Sequence, residues 1–175
     1  MELTLIRHTS VDVPPGYCYG QTDVPLRNTF ETEAEKVKKG LEGERFDRVY
    51  TSPLSRCTRL AGYCGYADAV RDGRMMELNF GEWEMVPFAS LTDRTAQEWF
   101  ADWIHTPAPG GESLADQYAR VSAFIEELRD NGVEKACVFT HGGAITCGRV
   151  YAGEYEMKEA FRHIPDYGEI VKLTV

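Results

Sequence analysis

Short apolar runs alternate with stretches of helical periodicity along the whole chain. The first run, residues 2–7, leads directly into Arg7 and His8. Short β-favouring runs predict strands, whereas apolar residues that recur every three or four positions predict helices. The predicted strands are residues 2–7, 46–51, 67–70, 136–140 and 168–175. The predicted helices are residues 29–41, 52–63, 95–104, 114–131 and 144–151. This alternation indicates an α/β sheet with helices on both faces.

Capping residues mark the start of two of these helices. Ser113 with Asp116 three positions later is a capping pair, and it precedes the clearest amphipathic helix of the chain. Ser52 is expected to cap an earlier helix, with Pro53 in its first turn. That register places Arg56 near the helix N-terminus, where a cation opposes the helix dipole. An arginine beside a helix N-terminus suits an anion site better than it suits the helix.

The composition describes an ordinary soluble protein. The chain has 175 residues, of which 43% are hydrophobic and 27% are charged, and we expect one domain covering residues 1–175. Its formal charge is −9, which argues against nucleic-acid or anionic-membrane partners because both need a basic surface. No apolar run approaches the ~18 residues of a membrane span. An anionic small molecule stays compatible with the composition, because a few arginines can form a local positive pocket.

The cysteine pattern favours a reducing compartment. The five cysteines include no C-x-x-C pair, and their number is odd. We therefore expect free thiols and a cytoplasmic location. Cys147 lies near His141 in the sequence and could be a nucleophile, but an apolar core thiol is the better interpretation.

Three predicted strand ends carry polar residues of the same kind. The first strand ends at Arg7 and His8, the second leads to Arg56, and the fourth ends at His141-Gly142-Gly143. If these strands are parallel, their carboxyl ends meet at one edge of the sheet. Arginine forks match phosphate oxygens, and an imidazole can be a nucleophile, so this grouping favours phosphoryl chemistry. A metal site is the main alternative for two histidines, but their spacing is not that of a metal motif and the arginines would repel a cation. A serine hydrolase is disfavoured, because the chain contains no G-x-S-x-G nucleophile elbow.

The chain resembles the histidine phosphatase superfamily, branch 1, also called phosphoglycerate mutase-like. Five segments carry the resemblance in the family's order: residues 5–9, 51–56, 77–84, 111–114 and 140–143. The resemblance implies a three-layer α/β/α sandwich with a mostly parallel central sheet. It also implies an enzyme, a metal-independent phosphoric monoester hydrolase that needs no cofactor.

By the same resemblance, His8 is the nucleophile that becomes phosphohistidine. Arg7, Arg56 and His141 are expected to line the phosphate pocket, and His141 is also counted among the catalytic residues. Glu77 is expected to donate a proton to the leaving oxygen, a role worth ~10²–10⁴ in rate. The acids at positions 82 and 84 are close enough in sequence to be confused with it.

The loop after the first strand departs from the usual pattern of the family. Thr9 follows the Arg-His pair where many members have glycine, and an expected asparagine contact to phosphate is absent. Gln21 and Thr22 are the expected substitutes. The loop looks most like that of the α-ribazole phosphatase branch, which acts in assembly of the cobalamin nucleotide loop.

The resemblance leaves several points open. The favoured partner is a small phosphate ester, α-ribazole 5′-phosphate. A phosphoglycerate mutase, a broad small-molecule phosphatase and a non-catalytic phospho-ligand module are the alternatives, and a homodimer is left open. Trp99 and Trp103, four positions apart on one predicted helix face, are expected in the core or the pocket wall.

Overall fold

A five-stranded sheet forms the centre of the protein, and the computed structural model describes all residues 1–175. Its strands are β1 (Glu2–Arg7), β2 (Arg48–Thr51), β3 (Val70–Arg71), β4 (Lys135–Thr140) and β5 (Ile170–Thr174). The strand order is β3-β2-β4-β1-β5, in which β5 runs antiparallel to β1 and the other pairs are parallel. The predicted mostly parallel sheet is therefore confirmed.

Helices cover both faces of this sheet. The helices are α1 (Phe30–Gly40), α2 (Ser55–Tyr63), α3 (Arg94–Ala101), α4 (Leu114–Asp130) and α5 (Gly142–Tyr151). Successive residues of a strand point to opposite faces. Thus Leu3 and Leu5 of β1 join the core under α4 and α5, whereas Ile6 joins the core under α1 and α2. Two buried layers on one sheet confirm the predicted α/β/α sandwich.

The helix starts correct one detail of the prediction and confirm another. Helix α2 begins at Ser55 because Leu54 is extended, so the prediction that Ser52 caps the helix is wrong. The Ser52 hydroxyl faces His141 instead. Helix α4 has the predicted capping box, in which Ser113 and Asp116 each accept a hydrogen bond from the other's backbone N–H.

The region between α2 and α4 differs most from the prediction. Strand β3 has only two residues, and α3 ends at Ala101 because Asp102 leaves helical geometry. Trp99 is therefore helical, but Trp103 follows the helix and does not share a helical face with it. A small core of its own, which includes Cys18, Trp83 and Trp99, holds this region against the loop that follows β1.

The cysteines are free thiols, as predicted, and four of the five are buried. Cys147 packs in the core under α4 and α5, and burial raises the pKa of its thiol to about 12. This environment fits the core interpretation rather than a nucleophile. None of the helices combines the length and apolar character needed to cross a bilayer.

Candidate active site

Three parallel strands bring their polar ends together at one edge of the sheet. Strand β1 ends before His8, β2 ends before Ser52, and β4 ends before His141. Since β4 pairs with both neighbours in parallel, the two histidine rings lie with their centroids 5.2 Å apart. The convergence expected from the sequence is present in the structure.

His8 is buried and held in one tautomer. Its Nδ1 lies 2.7 Å from the Thr9 carbonyl oxygen, which can only accept, so Nδ1 carries the proton. The lone pair then lies on Nε2. Burial lowers the pKa of His8 well below its usual value, and the charges of Arg56 and Arg7 lower it further. His8 is therefore a neutral imidazole with a free basic nitrogen.

His141 is also buried and neutral, but its nitrogens are both engaged. Nδ1 accepts a hydrogen bond from Nε of Arg56 at 3.2 Å, which leaves the proton on Nε2. That nitrogen donates to the Ser52 hydroxyl at 2.7 Å. Burial lowers the pKa of His141 well below its usual value, with Arg56 as the next cause. Ser52 thus fixes the orientation of His141, a role that the sequence did not reveal.

Arg56 lies in the first turn of α2 and is completely buried. Its guanidinium donates to the carbonyl oxygens of Gly20 at 2.5 Å and Thr22 at 2.9 Å, besides its bond to His141. No carboxylate lies beside it. The carbonyl oxygens of segment 20–22 therefore position the charged Arg56 guanidinium beside His141, whose ring is next to that of His8.

Arg7 is the last residue of β1 and directly precedes His8. One terminal nitrogen donates to the Pro165 carbonyl oxygen at 2.5 Å, while the buried Nε has no partner among protein atoms. The guanidinium lies over the ring of Tyr167, with its carbon 4.0 Å from the ring centroid. The Tyr167 hydroxyl in turn lies 2.5 Å from that of Tyr19. This tyrosine pair is close to His8, since the Tyr167 and His8 ring centroids are 5.5 Å apart.

Glu77 is held at the start of α5. Its carboxyl oxygens accept from the Gly143 backbone N–H at 3.1 Å, from the Gln117 amide at 3.1 Å and from the Leu78 backbone N–H at 2.9 Å. A side chain at position 143 would displace this carboxyl, because its Cβ would lie 2.3 Å from Oε1 of Glu77. The backbone N–H of Gly143, at the start of α5, therefore helps to fix the position of the Glu77 carboxyl.

Helix α4 supplies two polar residues that position Glu77 and that sequence reasoning missed. Gln117 is buried on the apolar stripe of α4, where a polar residue among leucines and phenylalanine was the available signal. Arg120, one turn later, donates to the Glu77 and Met76 carbonyl oxygens and pairs with Glu112 at 2.8 Å. These contacts fix the backbone on which Glu77 is carried.

The expected phosphate ligands Gln21 and Thr22 have other partners. The Thr22 hydroxyl donates to Glu84 at 2.6 Å, and the Gln21 amide donates to the Glu77 carbonyl oxygen at 3.1 Å. Both residues also donate their backbone N–H groups to Glu84. Both side chains thus help to order the loop, and their contact with phosphate stays a prediction.

An open cavity of about 360 Å³ adjoins Arg7 and Glu77. Six aromatic side chains form much of its wall: Tyr17, Tyr19, Phe80, Phe88, Trp99 and Phe161. Trp99 is thus a pocket residue, as expected. Trp103 does not line the cavity. It packs against the wall residue Phe161, with the two ring centroids 4.4 Å apart.

Comparison with known proteins identifies the class. The family model described as histidine phosphatase superfamily (branch 1) matches residues 3–175. The chain therefore belongs to this superfamily, and the predicted enzyme class, a histidine phosphatase, is confirmed.

The names of individual relatives refer to different substrates. Phosphoserine phosphatase 1 of Hydrogenobacter thermophilus is 29% identical over 137 residues, which cover 74% of this chain and 64% of that relative, just under two thirds of its length. Adenosylcobalamin/alpha-ribazole phosphatase of Salmonella typhimurium is 28% identical over 154 residues, 83% of this chain and 76% of that one. Other relatives are named probable phosphoglycerate mutases. The crystal structure of the alpha-ribazole phosphatase from Shigella flexneri shares the fold, with a TM-score of 0.88, 23% identity, and coverage of 100% of this chain and 91% of that chain.

Proposed function

We propose that the protein hydrolyses phosphate monoesters through a phosphohistidine on His8. The state of His8 carries the proposal: it is neutral, its Nε2 lone pair is free, and two guanidinium groups flank it. A neutral imidazole is a nucleophile, and the arginines supply the charge that a phosphoryl group needs. Family membership supports the same reaction.

In the first step, Nε2 of His8 attacks phosphorus. The N–P bond forms as the bond from phosphorus to the ester oxygen breaks, and Glu77 gives its proton to that departing oxygen. Arg7 offers its unpartnered Nε–H to the phosphoryl oxygens. Charge-assisted hydrogen bonds of this kind stabilise the transition state most where water is excluded.

In the second step, water attacks the phosphohistidine. A new P–O bond forms, the N–P bond breaks, and Glu77 accepts the proton that the water loses. Inorganic phosphate leaves, and His8 and Glu77 regain their initial protonation. The contacts from Gln117 and Gly143 keep the Glu77 carboxyl at the same place in both steps.

The favoured substrate is α-ribazole 5′-phosphate, and the cavity beside Arg7 supports it. Arg7 and Glu77 are the only Arg, Lys, His, Asp or Glu side chains in the lining, and both are assigned to the phosphoryl chemistry. A flat benzimidazole base suits aromatic walls. Phosphoserine and phosphoglycerates carry a carboxylate that would need a further cation there. The same feature disfavours a phosphoglycerate mutase. A role in cobalamin nucleotide-loop assembly and a cytoplasmic location belong to this proposal.

Two measurements test the function. Rapid quenching with labelled substrate should trap an acid-labile phosphoenzyme in the wild type and in His163→Ala, which changes an exposed histidine, but not in His8→Ala. Labelling of folded His8→Ala would contradict the nucleophile assignment.

The second measurement concerns the substrate. We expect kcat/KM for α-ribazole 5′-phosphate to exceed that for phosphoserine and 3-phosphoglycerate by about tenfold or more, which corresponds to ~1.4 kcal/mol. Equal kcat/KM values for the three esters would refute the proposed substrate assignment but would leave the phosphatase proposal intact.

A further inference from the structure

Glu84 accepts an unusual number of hydrogen bonds for a residue outside the cavity. The backbone N–H groups of Gly20, Gln21 and Thr22 all point to its carboxylate, at 2.9–3.1 Å. The Thr22 hydroxyl adds a bond of 2.6 Å, and the Phe80 backbone N–H one of 3.1 Å. Three successive N–H groups around one anion form a nest, which is an anion-binding backbone shape.

The same short segment faces Arg56 with its carbonyl oxygens. Gly20 and Thr22 each accept a hydrogen bond from the Arg56 guanidinium. The peptide groups of segment 20–22 therefore lie between a carboxylate on their N–H side and a guanidinium on their carbonyl side. Glu84 and Arg56 form no direct ion pair. Each of them instead orients the peptide groups of segment 20–22 in the direction that favours hydrogen bonds to the other.

The contacts continue from Arg56 to His141. Nε of Arg56 donates to Nδ1 of His141, and this bond selects the tautomer that donates to Ser52. We propose that Glu84 is a positioning residue for the phosphoryl-transfer site, acting through segment 20–22 on Arg56 and through Arg56 on His141. The proposal rests on the function proposed above, because it assigns Arg56 and His141 to that site.

Two further observations support this role. The hydrogen bonds to Glu84 lower the pKa of its carboxyl although its partial burial opposes that shift, so Glu84 is ionised at neutral pH. The approach is also close: a Cβ at position 20 would lie 2.7 Å from Oε1 of Glu84 and 1.7 Å from the Leu78 carbonyl oxygen. Only glycine lets the segment approach the carboxylate this closely.

The chain provides a matched control two residues away. Glu82 is exposed and lies in the same short turn, so Glu82→Gln removes the same charge without touching segment 20–22. In Glu84→Gln the side-chain amide NH₂ replaces one acceptor oxygen. Its N–H groups then face the backbone N–H groups of segment 20–22, so hydrogen bonds are lost. We expect Glu84→Gln to lower kcat about 10- to 100-fold, because a displaced Arg56 misaligns the site. Glu82→Gln should keep kcat within about twofold, and both variants should be checked for folding by their melting temperatures.

A double-mutant cycle separates positioning from a general effect on structure. If Glu84 acts through Arg56, Glu84→Gln should cost less than about twofold in kcat when it is added to Arg56→Lys, because the fork it orders is already lost. Losses that multiply would overturn the proposal, as would wild-type kcat in folded Glu84→Gln. If Glu84→Gln does not fold, Glu84→Asp keeps the charge but withdraws it from the nest. Wild-type kcat in Glu84→Asp would also overturn the proposal.

The two proposals can fail separately. A wild type that forms no phosphohistidine refutes the proposed function. A wild type that is labelled normally, together with a Glu84→Gln variant as fast as Glu82→Gln, refutes the role of Glu84 alone.

Discussion

Acidification from pH 7 to pH 5.5 should destabilise the protein through His8 and His141. Both rings are buried, and burial together with Arg56 lowers the pKa of each well below its usual value. The folded protein therefore keeps both imidazoles neutral where the unfolded chain binds protons. Because the unfolded state binds more protons, the free energy of unfolding falls as the pH falls below the unfolded-state pKa of about 6.5.

The magnitude follows from linkage. A histidine that stays neutral in the fold loses RT ln(1 + 10^(pKa − pH)) of stability relative to the unfolded chain, where the pKa is that of the unfolded state; this loss is small at pH 7 and about 1 kcal/mol at pH 5.5. Each buried histidine therefore contributes about 1 kcal/mol to the loss, and the two together about 2–3 kcal/mol. Carboxylates with lowered pKa, such as Glu84, lose their contribution only at more acidic pH.

Urea denaturation at pH 7 and pH 5.5 measures this loss directly. His8→Asn should reduce the loss by about half, whereas His163→Asn, at an exposed position, should leave it near the wild-type value. An equal pH dependence in His8→Asn and the wild type would refute the claim that His8 is held neutral by the fold. An unchanged m-value between the two pH values is the check that the same transition is observed.

Three further substitutions test single contacts. Ser52→Ala removes the acceptor 2.7 Å from Nε2 of His141, and the buried donor left behind should cost about 1–3 kcal/mol in urea denaturation. Gly20→Ala places a Cβ against the Leu78 carbonyl oxygen, so kcat/KM for an aryl phosphate should fall at least tenfold; unchanged activity would contradict the positioning of segment 20–22. Asp116→Ala breaks the capping box of α4, so about 1 kcal/mol of stability should be lost while kcat remains unchanged.

The sequence predicted the meeting of His8, Arg56 and His141 because that meeting follows from topology. Parallel strands place their carboxyl ends at one edge, and each of these residues follows a strand within a few positions. Hydrophobic periodicity was enough to find the strands. The resemblance to a known family then supplied an expected role for each residue, which periodicity cannot do.

The roles of Ser52 and Glu84 could not be read from the sequence in the same way. A serine before Pro53 has the pattern of a helix cap, and only the position of His141 shows why its hydroxyl is used elsewhere. Glu84 contacts a loop more than 60 positions earlier in the chain. The path of such a loop depends on long-range hydrogen bonds, which leave no periodic signal. The end of α3 before Trp103 likewise depends on the local backbone of Asp102.

The charges of the site suit an anion although the protein as a whole is acidic. The chain has a formal charge of −9, yet neither Arg7 nor Arg56 has a carboxylate oxygen within 4.0 Å. Carbonyl oxygens orient both guanidinium groups without neutralising them. Buried cations without a counter-charge cost stability, and a phosphate dianion would offset that cost. Orthovanadate at 100 times its Kd should therefore raise the free energy of unfolding by about 2.7 kcal/mol. At the same vanadate concentration, the gain in unfolding free energy should be smaller in Arg7→Ala. An equal gain in that variant would show that the anion binds elsewhere.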